Sequence, residues 1–351
     1  MTSFIEDCWY VAAWSHEIEP GQLFSRTICG RKLLFWRDGE GRLVAMDDRC
    51  CHRGAPLSVG RHEGDSVRCL YHGFRFDAGG RCVEIPGHDR VPPKAFVRPY
   101  AVVESSRWVW LWLGRPEDAD PQRIPDTHWL VDPDWACTPP GYLHYDVDAR
   151  LVHDNLLDFS HLSYVHANTL GGSEEYAQLR SKVERLDHGL RITRWFMDRP
   201  APPFVAGLLA AKGMTGPVDR WNNYDFLLPG VLIMDSGFAP AGSGAERGQR
   251  DGAVEFRHCQ AVTPETADSC HYFFAQPRNF DRDDPAVNER LYRSIVTAFE
   301  EDRAIITAQA QSLRADPSFT PVPCGLDVAL IQYRALVEQR LAAERERAAA
   351  R

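Results

Sequence analysis

Apolar and polar positions follow two different rhythms along the chain. From residue 9 to about 113, short apolar runs such as RKLLFW (31–36), LVAM (43–46) and WVWLWLG (108–114) alternate with turn-forming stretches such as RDGEGR (37–42). Runs of that length bounded by Gly, Asp and Arg predict a small antiparallel β-structure. The Pro- and Asp-rich stretch RPEDADPQRIPDTHWLVDPDWACTPPG (115–141) breaks both periodicities, which places a domain boundary near residue 118 and divides the chain into 1–118 and 119–351. Beyond it, LVHDNLLDFSHLSYVHANTL (151–170) has helical composition, whereas GVLIMD (230–235), VEFRHCQAV (254–262) and CHYFFA (270–275) read as strands. Helical patterns return at 288–315 and 328–349, so the second half is expected to be α+β with an antiparallel sheet and C-terminal helices.

Composition narrows the picture only a little. A chain of 351 residues is long enough for two domains, and 44% hydrophobic with 25% charged residues is ordinary for a globular protein. The net charge of −9 argues against a nucleic-acid partner. No segment reaches the ~20 apolar residues that span a bilayer, and the opening MTSFIEDCWYVAAW lacks the basic and apolar regions of a signal peptide. The expectation is a cytoplasmic protein with no membrane partner. Its ten cysteines are read as reduced thiols and metal ligands rather than as a disulfide framework.

Two of those cysteines carry chemistry. CCHRGAPLSVG (50–60) and RCLYHGFRF (68–76) pair Cys50 with His52 and Cys69 with His72. Thiolate and imidazole together suit zinc or an iron–sulfur cluster. Zinc fingers usually keep Cys with Cys and His with His, whereas each loop here mixes the types, and two such loops can clamp a [2Fe-2S] cluster with thiolates on one iron and imidazoles on the other. The pair of motifs resembles the Rieske motif of aromatic-ring and demethylating oxygenases. Cys51 stands where that family often has Pro, and is read as a spare thiol. Respiratory Rieske proteins carry an extra disulfide and a Ser near the cluster; Ala55, Tyr71 and Phe74 stand at the matching places here. Fewer hydrogen bonds to the sulfurs imply a potential towards ~−150 mV.

A second constellation lies at 155–166, where Asn155, Asp158, His161 and His166 form N-x2-D-x2-H-x4-H. This resembles the mononuclear-iron motif of the same oxygenases, in which two histidines and one carboxylate leave positions open for O2. On a regular helix His161 and His166 would point about 140° apart, so the segment is expected to bend or to contain a π-like turn. The carboxylate is sought in SIVTAFEEDRAIITAQ (294–309), where Asp302 lies on the apolar stripe of Ile295, Phe299 and Ile306 while Glu300 and Glu301 project away from it. Asp302 is therefore the expected third ligand. By resemblance, Asp158 links His161 to the cluster ligand His72 of a neighbouring subunit, and Asn155 supports the iron site; Asp154 is read as an ordinary helix carboxylate.

The resemblance implies an N-terminal all-β Rieske [2Fe-2S] domain and a catalytic domain of helix-grip type holding Fe(II). WYVAAWSHEI (9–18), DRWNNYDF (219–226) and TPETADSCHYFFAQPRNF (263–280) are most similar to the vanillate and dicamba O-demethylase branch. That implies a terminal oxygenase component acting as a monooxygenase on a methoxylated aromatic, with formaldehyde released, or alternatively hydroxylation of an aryl methyl group or ring position. Phe256, His258 and Gln260 share one face of a strand, and with Leu227 and Phe274 they are candidates to line a pocket for a small aromatic substrate. The chain has no GxGxxG fingerprint between a strand and a helix, so it is expected to need a separate NAD(P)H-dependent reductase, directly or through a ferredoxin. The family resemblance also implies a homotrimer. A bare electron carrier would leave 154–302 without a purpose, and a zinc-binding interaction protein would be colourless.

Overall fold

The computed structural model describes residues 4–350 apart from 168, 170–177 and 179. Two compact units emerge, the first from residue 1 to Asp126 together with 263–267 and 344–351, the second comprising 127–262 and 268–343. The returns at 263–267 and 344–351 have no local signature, because long-range contacts alone assign them.

In the first unit a six-stranded antiparallel sheet runs in the order Trp9–Trp14, Trp108–Trp112, Pro99–Ser105, Leu43–Asp47, Arg31–Arg37, Phe24–Ile28. Its first two strands are buried along their whole length, which explains why they read as unbroken apolar runs rather than alternating ones. Trp9 pairs across the ladder with Trp112, and Trp14 with Trp108, each with ring centroids 5.5 Å apart. A smaller four-stranded ribbon, Arg61–Glu63, Ser66–Arg68, Arg75–Asp77 and Cys82–Glu84, completes the β-structure. Leu34, Trp36, Met46, Leu57, Val67 and Phe76 form a core that includes Cys50 and Cys69. Both thiols are thus fixed by packing before any metal is considered.

The second unit is built on a ten-stranded antiparallel sheet. Its central strands are Val218–Leu227, Val231–Pro240 and Val254–Pro264, with Cys270–Ala275 and Gly141–Tyr145 continuing on one side. Four described helices accompany it: α1 (Ala149–Leu157), α2 (Pro203–Ala211), α3 (Pro285–Ala315) and α4 (Val328–Ala349). The start of α3 follows from sequence chemistry, since Pro285 suits a first helical turn and the Asp284 carboxylate accepts from the Ala286 N–H at 2.8 Å.

Strand register decides which side chains meet α3. Tyr224 pairs with Met234 and Met234 with His258; Phe226 pairs with Leu232 and Leu232 with Gln260. These residues share one face, and the apolar ones join Ile295, Phe299 and Ile306 of α3 in a single core. Full burial of each such side chain contributes roughly 1.5–3 kcal/mol. The Tyr145 hydroxyl donates to the Phe299 carbonyl at 2.8 Å, tying the sheet edge to the middle of the helix. Leu227 alternates onto the opposite face from Phe226, so the expected pocket residue Leu227 does not stand with His258 and Gln260. Among the described residues no helix is long and apolar enough to cross a membrane.

Two histidines pack against this core, His153 buried and His258 half-buried. His153 on α1 lies edge-on between Phe226 and Tyr333, at 5.5 and 5.7 Å, and burial pulls its pKa down to about 4. His258 is held at about 3 by burial, with the Arg257 charge adding to the effect. An unfolded histidine titrates near ~6.5, so as pH falls below that value the unfolded chain takes up protons the folded one refuses, at up to ~1.4 kcal/mol per pH unit for each group. Stability should therefore fall between about pH 6.5 and pH 4. A His153→Leu variant is expected to show a shallower decline of thermal midpoint over that window, and an unchanged slope would contradict the burial account.

Candidate metal centres

The two cluster loops fold alike although their spacings differ. In the first, the Cys50 N–H donates to the Ala55 carbonyl at 2.8 Å and the Gly54 N–H to the Cys50 carbonyl at 2.9 Å. In the second, the Cys69 N–H donates to the Phe74 carbonyl at 2.8 Å and the Gly73 N–H to the Cys69 carbonyl at 2.9 Å. Each loop closes through a glycine at positive φ, Gly54 at 72° and Gly73 at 76°, where a side chain is strained. Outside the loops, the buried Asp48 carboxylate accepts from the Ser58 N–H and hydroxyl at 2.6 Å each. Arg68 donates to the Gly73 carbonyl at 2.9 Å while paired with Glu63 and Glu84.

These loops bring Cys50, His52, Cys69 and His72 together. The two thiols are neighbours, and burial, reinforced by Cys69, pushes the Cys50 thiol up to about 12. A buried thiol in that state is a poor nucleophile, but a metal deprotonates it outright. The His52 and His72 rings lie 4.6 Å apart, His52 stacked on Phe74 at 4.7 Å. Thiols sit inward and imidazoles outward, an arrangement compatible with thiolates on one iron and imidazoles on the other.

The second centre forms where helix geometry changes. α1 ends at Leu157, a 3₁₀ turn at Phe159–Ser163 carries His161, and His166 follows in a further turn. The anticipated bend is therefore a switch from α to 3₁₀. It brings His161, His166 and Asp302 together, with ligating atoms all within 4.8 Å of one another. The Asp302 oxygen lies 3.2 Å from His166 Nε2 and 3.5 Å from His161 Nε2, close to the ~3 Å that donors take around one metal at bond lengths near 2.1 Å. Among the described residues the buried His166 Nε2 makes no hydrogen bond, which fits the role of a ligand atom. Asp302 is only 5% exposed on the α3 stripe, and its carboxylate accepts from Asn155 Nδ2 at 2.9 Å. Burial lowers the pKa of His161, whereas at His166 the neighbouring Asp302 and Glu301 carboxylates outweigh burial and raise it.

Two placements depart from the sequence reading. The Asp158 carboxylate does not reach His161; it caps the 3₁₀ turn, accepting from the Ser160 N–H at 2.8 Å and hydroxyl at 2.9 Å. The main-chain carbonyl of Asp158 faces His161 Nδ1 instead, at 2.5 Å. Periodicity set Glu301 aside, yet its carboxylate lies 2.8 Å from His166 Nδ1 and 2.6 Å from the Thr169 hydroxyl. The missed signal was the need of a metal-ligating imidazole for a partner on its second nitrogen. Glu300 pairs with Arg303, and Asp154 with Arg334.

Around the inner face, the Tyr272 hydroxyl donates to Gln260 at 2.6 Å, and Phe274 packs edge-on against Phe299 at 4.9 Å. His258 meets Ser236 at 3.1 Å and Gln276 at 3.1 Å, a polar group on the same face as Gln260. Ser236 and Gln276 had no signal in local sequence, since register alone brings them to His258.

Comparison with known proteins agrees with this architecture. Residues 8–100 match the Rieske [2Fe-2S] domain and residues 145–343 the vanillate O-demethylase oxygenase C-terminal domain. The chain is 46% identical to the iron-sulfur subunit of the toluene-4-sulfonate monooxygenase system of Comamonas testosteroni, over 97% of this chain and 98% of that one. It is 35% identical to a vanillate O-demethylase oxygenase subunit of a Pseudomonas species, covering 98% and 97%. Dicamba monooxygenase bound to 3,6-dichlorosalicylic acid superposes with a TM-score of 0.88 at 32% identity, covering 97% and 98%; the same enzyme has been solved with non-haem iron and dicamba. An all-β cluster domain followed by an α+β domain with a facial donor set defines a two-centre oxygenase. The chain belongs to the Rieske non-haem iron oxygenases, in the branch marked by the vanillate O-demethylase oxygenase C-terminal domain. It is a terminal oxygenase component whose cofactors are a [2Fe-2S] cluster and mononuclear iron, and as such it works with a separate reductase.

Gly73 offers a direct test of the cluster loop. A Cβ there would lie 2.6 Å from Pro86 Cγ, on a backbone that disfavours side chains. Gly73→Ala is expected to lose most of the cluster absorbance and the Rieske EPR signal, while mononuclear iron is retained. A normal cluster spectrum would show that the loop tolerates displacement.

Proposed function

We propose that the protein oxidises the methyl group of a methoxylated aromatic, most simply an aromatic acid, in the cytoplasm. In that reaction Ar–OCH₃, O₂, two electrons and two protons give Ar–OH, formaldehyde and water. The observation that carries this reading is the convergence of half-buried His161 with buried His166 and Asp302, whose carboxylate stands on the same α3 stripe that packs against the face bearing Gln260 and His258. When bound, the reduced cluster supplies electrons and the mononuclear iron supplies open positions for O₂.

The chain's own residues do the rest. Cys50, His52, Cys69 and His72 hold the cluster; His161, His166 and Asp302 hold the iron. Asn155 keeps one Asp302 oxygen oriented through its 2.9 Å hydrogen bond. Phe274 and Phe299 exclude water from the floor of the site, and Gln260, locked by Tyr272, is a fixed amide for orienting substrate. His258, held at about 3, is neutral at pH 7 and so offers a hydrogen bond rather than a charge.

The assembly is a homotrimer in this reading. His52 and His72 are exposed, and around them Leu70, Tyr71 and Phe96 are 56%, 61% and 46% exposed, a surface suited to docking against the Asp158 region of a second copy. There Asp158 hands electrons from the neighbour's His72 towards His161. Its carboxylate already has Ser160 as partner, which leaves lone pairs for an incoming imidazole N–H. The electrons come from an NAD(P)H-dependent reductase, directly or through a ferredoxin.

A second reading, hydroxylation of a methyl group bound directly to the ring, is favoured by the 46% identity to a toluene-4-sulfonate monooxygenase subunit, since that substrate carries such a methyl. A panel of methoxybenzoates and toluene-4-sulfonate, assayed with a compatible reductase, separates them. O-Demethylation predicts O₂ consumption with an equivalent amount of formaldehyde; benzylic alcohol without formaldehyde would establish the second reading in its place. For the bridge, Asp158→Asn is expected to keep both metal centres and the trimeric elution volume but to turn over at a small fraction of the wild-type rate. Its reduced cluster should persist in the presence of substrate and O₂, whereas normal cluster oxidation would remove Asp158 from the path.

A further inference from the structure

Two histidines face the Asp302 carboxylate through Nε2, and each is held from behind in a different way. His161 Nδ1 meets the Asp158 main-chain carbonyl of its own turn at 2.5 Å. His166 Nδ1 meets the Glu301 carboxylate at 2.8 Å, and that same oxygen accepts from the Thr169 hydroxyl at 2.6 Å. Glu301 and Asp302 are adjacent on α3. One short piece of helix therefore faces both nitrogens of a single imidazole, Nε2 through Asp302 at 3.2 Å and Nδ1 through Glu301 at 2.8 Å.

We infer that Glu301 is the positioning residue of the iron site: it fixes the proton of His166 on Nδ1, turns Nε2 towards the metal and strengthens it as a donor. This rests on His161, His166 and Asp302 being the iron ligands. The chemistry favours Glu301 over a merely structural side chain for two reasons. His166 is fully buried, so without Glu301 its ring has no solvent to orient it, and either nitrogen can carry the proton. Glu301 itself is partly exposed, and its contacts run inward, to His166 and Thr169, rather than to a surface cation. A carboxylate behind an imidazole raises ligand basicity, and losing such a partner typically costs ~10–100-fold in metal affinity. His161, backed by a neutral carbonyl that no side-chain substitution removes, has no equivalent lever.

The test is Fe(II) affinity of purified, cluster-loaded protein, measured by equilibrium dialysis against a competing chelator, with cluster absorbance as an internal control. Glu301→Ala is expected to raise the Fe(II) dissociation constant ~10–100-fold at unchanged cluster content. Glu301→Gln, whose amide oxygen still accepts from Nδ1–H but lacks the charge, should recover part of that loss. Thr169→Val, which leaves the Glu301–His166 contact in place, should stay within about threefold of wild type if the loss follows ligand basicity. Asp302→Ala should abolish binding; if it binds normally, the ligand assignment itself fails. If Asp302→Ala loses iron while Glu301→Ala binds within twofold of wild type, only the positioning role is overturned. Should Glu301→Ala not fold, Glu301→Gln decides alone, and wild-type affinity in it overturns the proposal.

Discussion

Burial of an ionisable carboxylate is the constraint on which the second unit depends. Asp302 lies at 5% exposure on a stripe otherwise made of Ile295, Phe299 and Ile306. Removing a carboxylate from water costs several kcal/mol unless a cation or hydrogen bonds compensate. Asn155 contributes one hydrogen bond, and the two imidazoles converge on the same oxygen without being able to neutralise it while uncharged. A divalent cation satisfies all of these groups together. The proposed iron site therefore resolves an electrostatic problem that the packing of α3 creates.

The first unit solves a different problem with the same economy. Two thiols, the Cys50 one with its pKa raised by burial, lie inside an apolar core, and two imidazoles remain at the surface. The loops repeat one hydrogen-bond pattern and one left-handed glycine each, so the ligand frame is a property of the backbone. Asp48 and Arg68 then clamp the loops from outside, one through Ser58 and the other through the Gly73 carbonyl. A rigid, preformed frame with exposed imidazoles suits electron transfer, because little has to move when the charge on the cluster changes.

Much of this was legible in the sequence, and the limits have physical causes. Cys50, His52, Cys69 and His72 are close neighbours in the chain, so spacing alone placed them. Asp302 was separated from Glu300 and Glu301 by the apolar stripe of one helix, a local property. Glu301 escaped because the same periodicity treats 100° of rotation as exclusion, whereas a long side chain covers that arc and reaches the far nitrogen of His166. Leu227 was misplaced because alternation along Val218–Leu227 sends it to the other face from Phe226. Ser236 and Gln276 meet His258 only through the pairing of distant strands, which no local pattern encodes. The return of 263–267 and 344–351 to the first unit was hidden for the same reason.

The central claim is that one chain holds two independent iron centres on the named residues, and iron counting addresses it most directly. Iron and acid-labile sulfide per chain should be measured in the reconstituted wild type, in Cys69→Ser and in His161→Ala. Two irons of a cluster and one mononuclear iron predict three irons and two sulfides for the wild type. His161→Ala should retain two irons and both sulfides, and Cys69→Ser should retain the single mononuclear iron without sulfide. Loss of all iron from either variant would contradict independence, and a wild-type count in His161→Ala would contradict the assignment of the second centre.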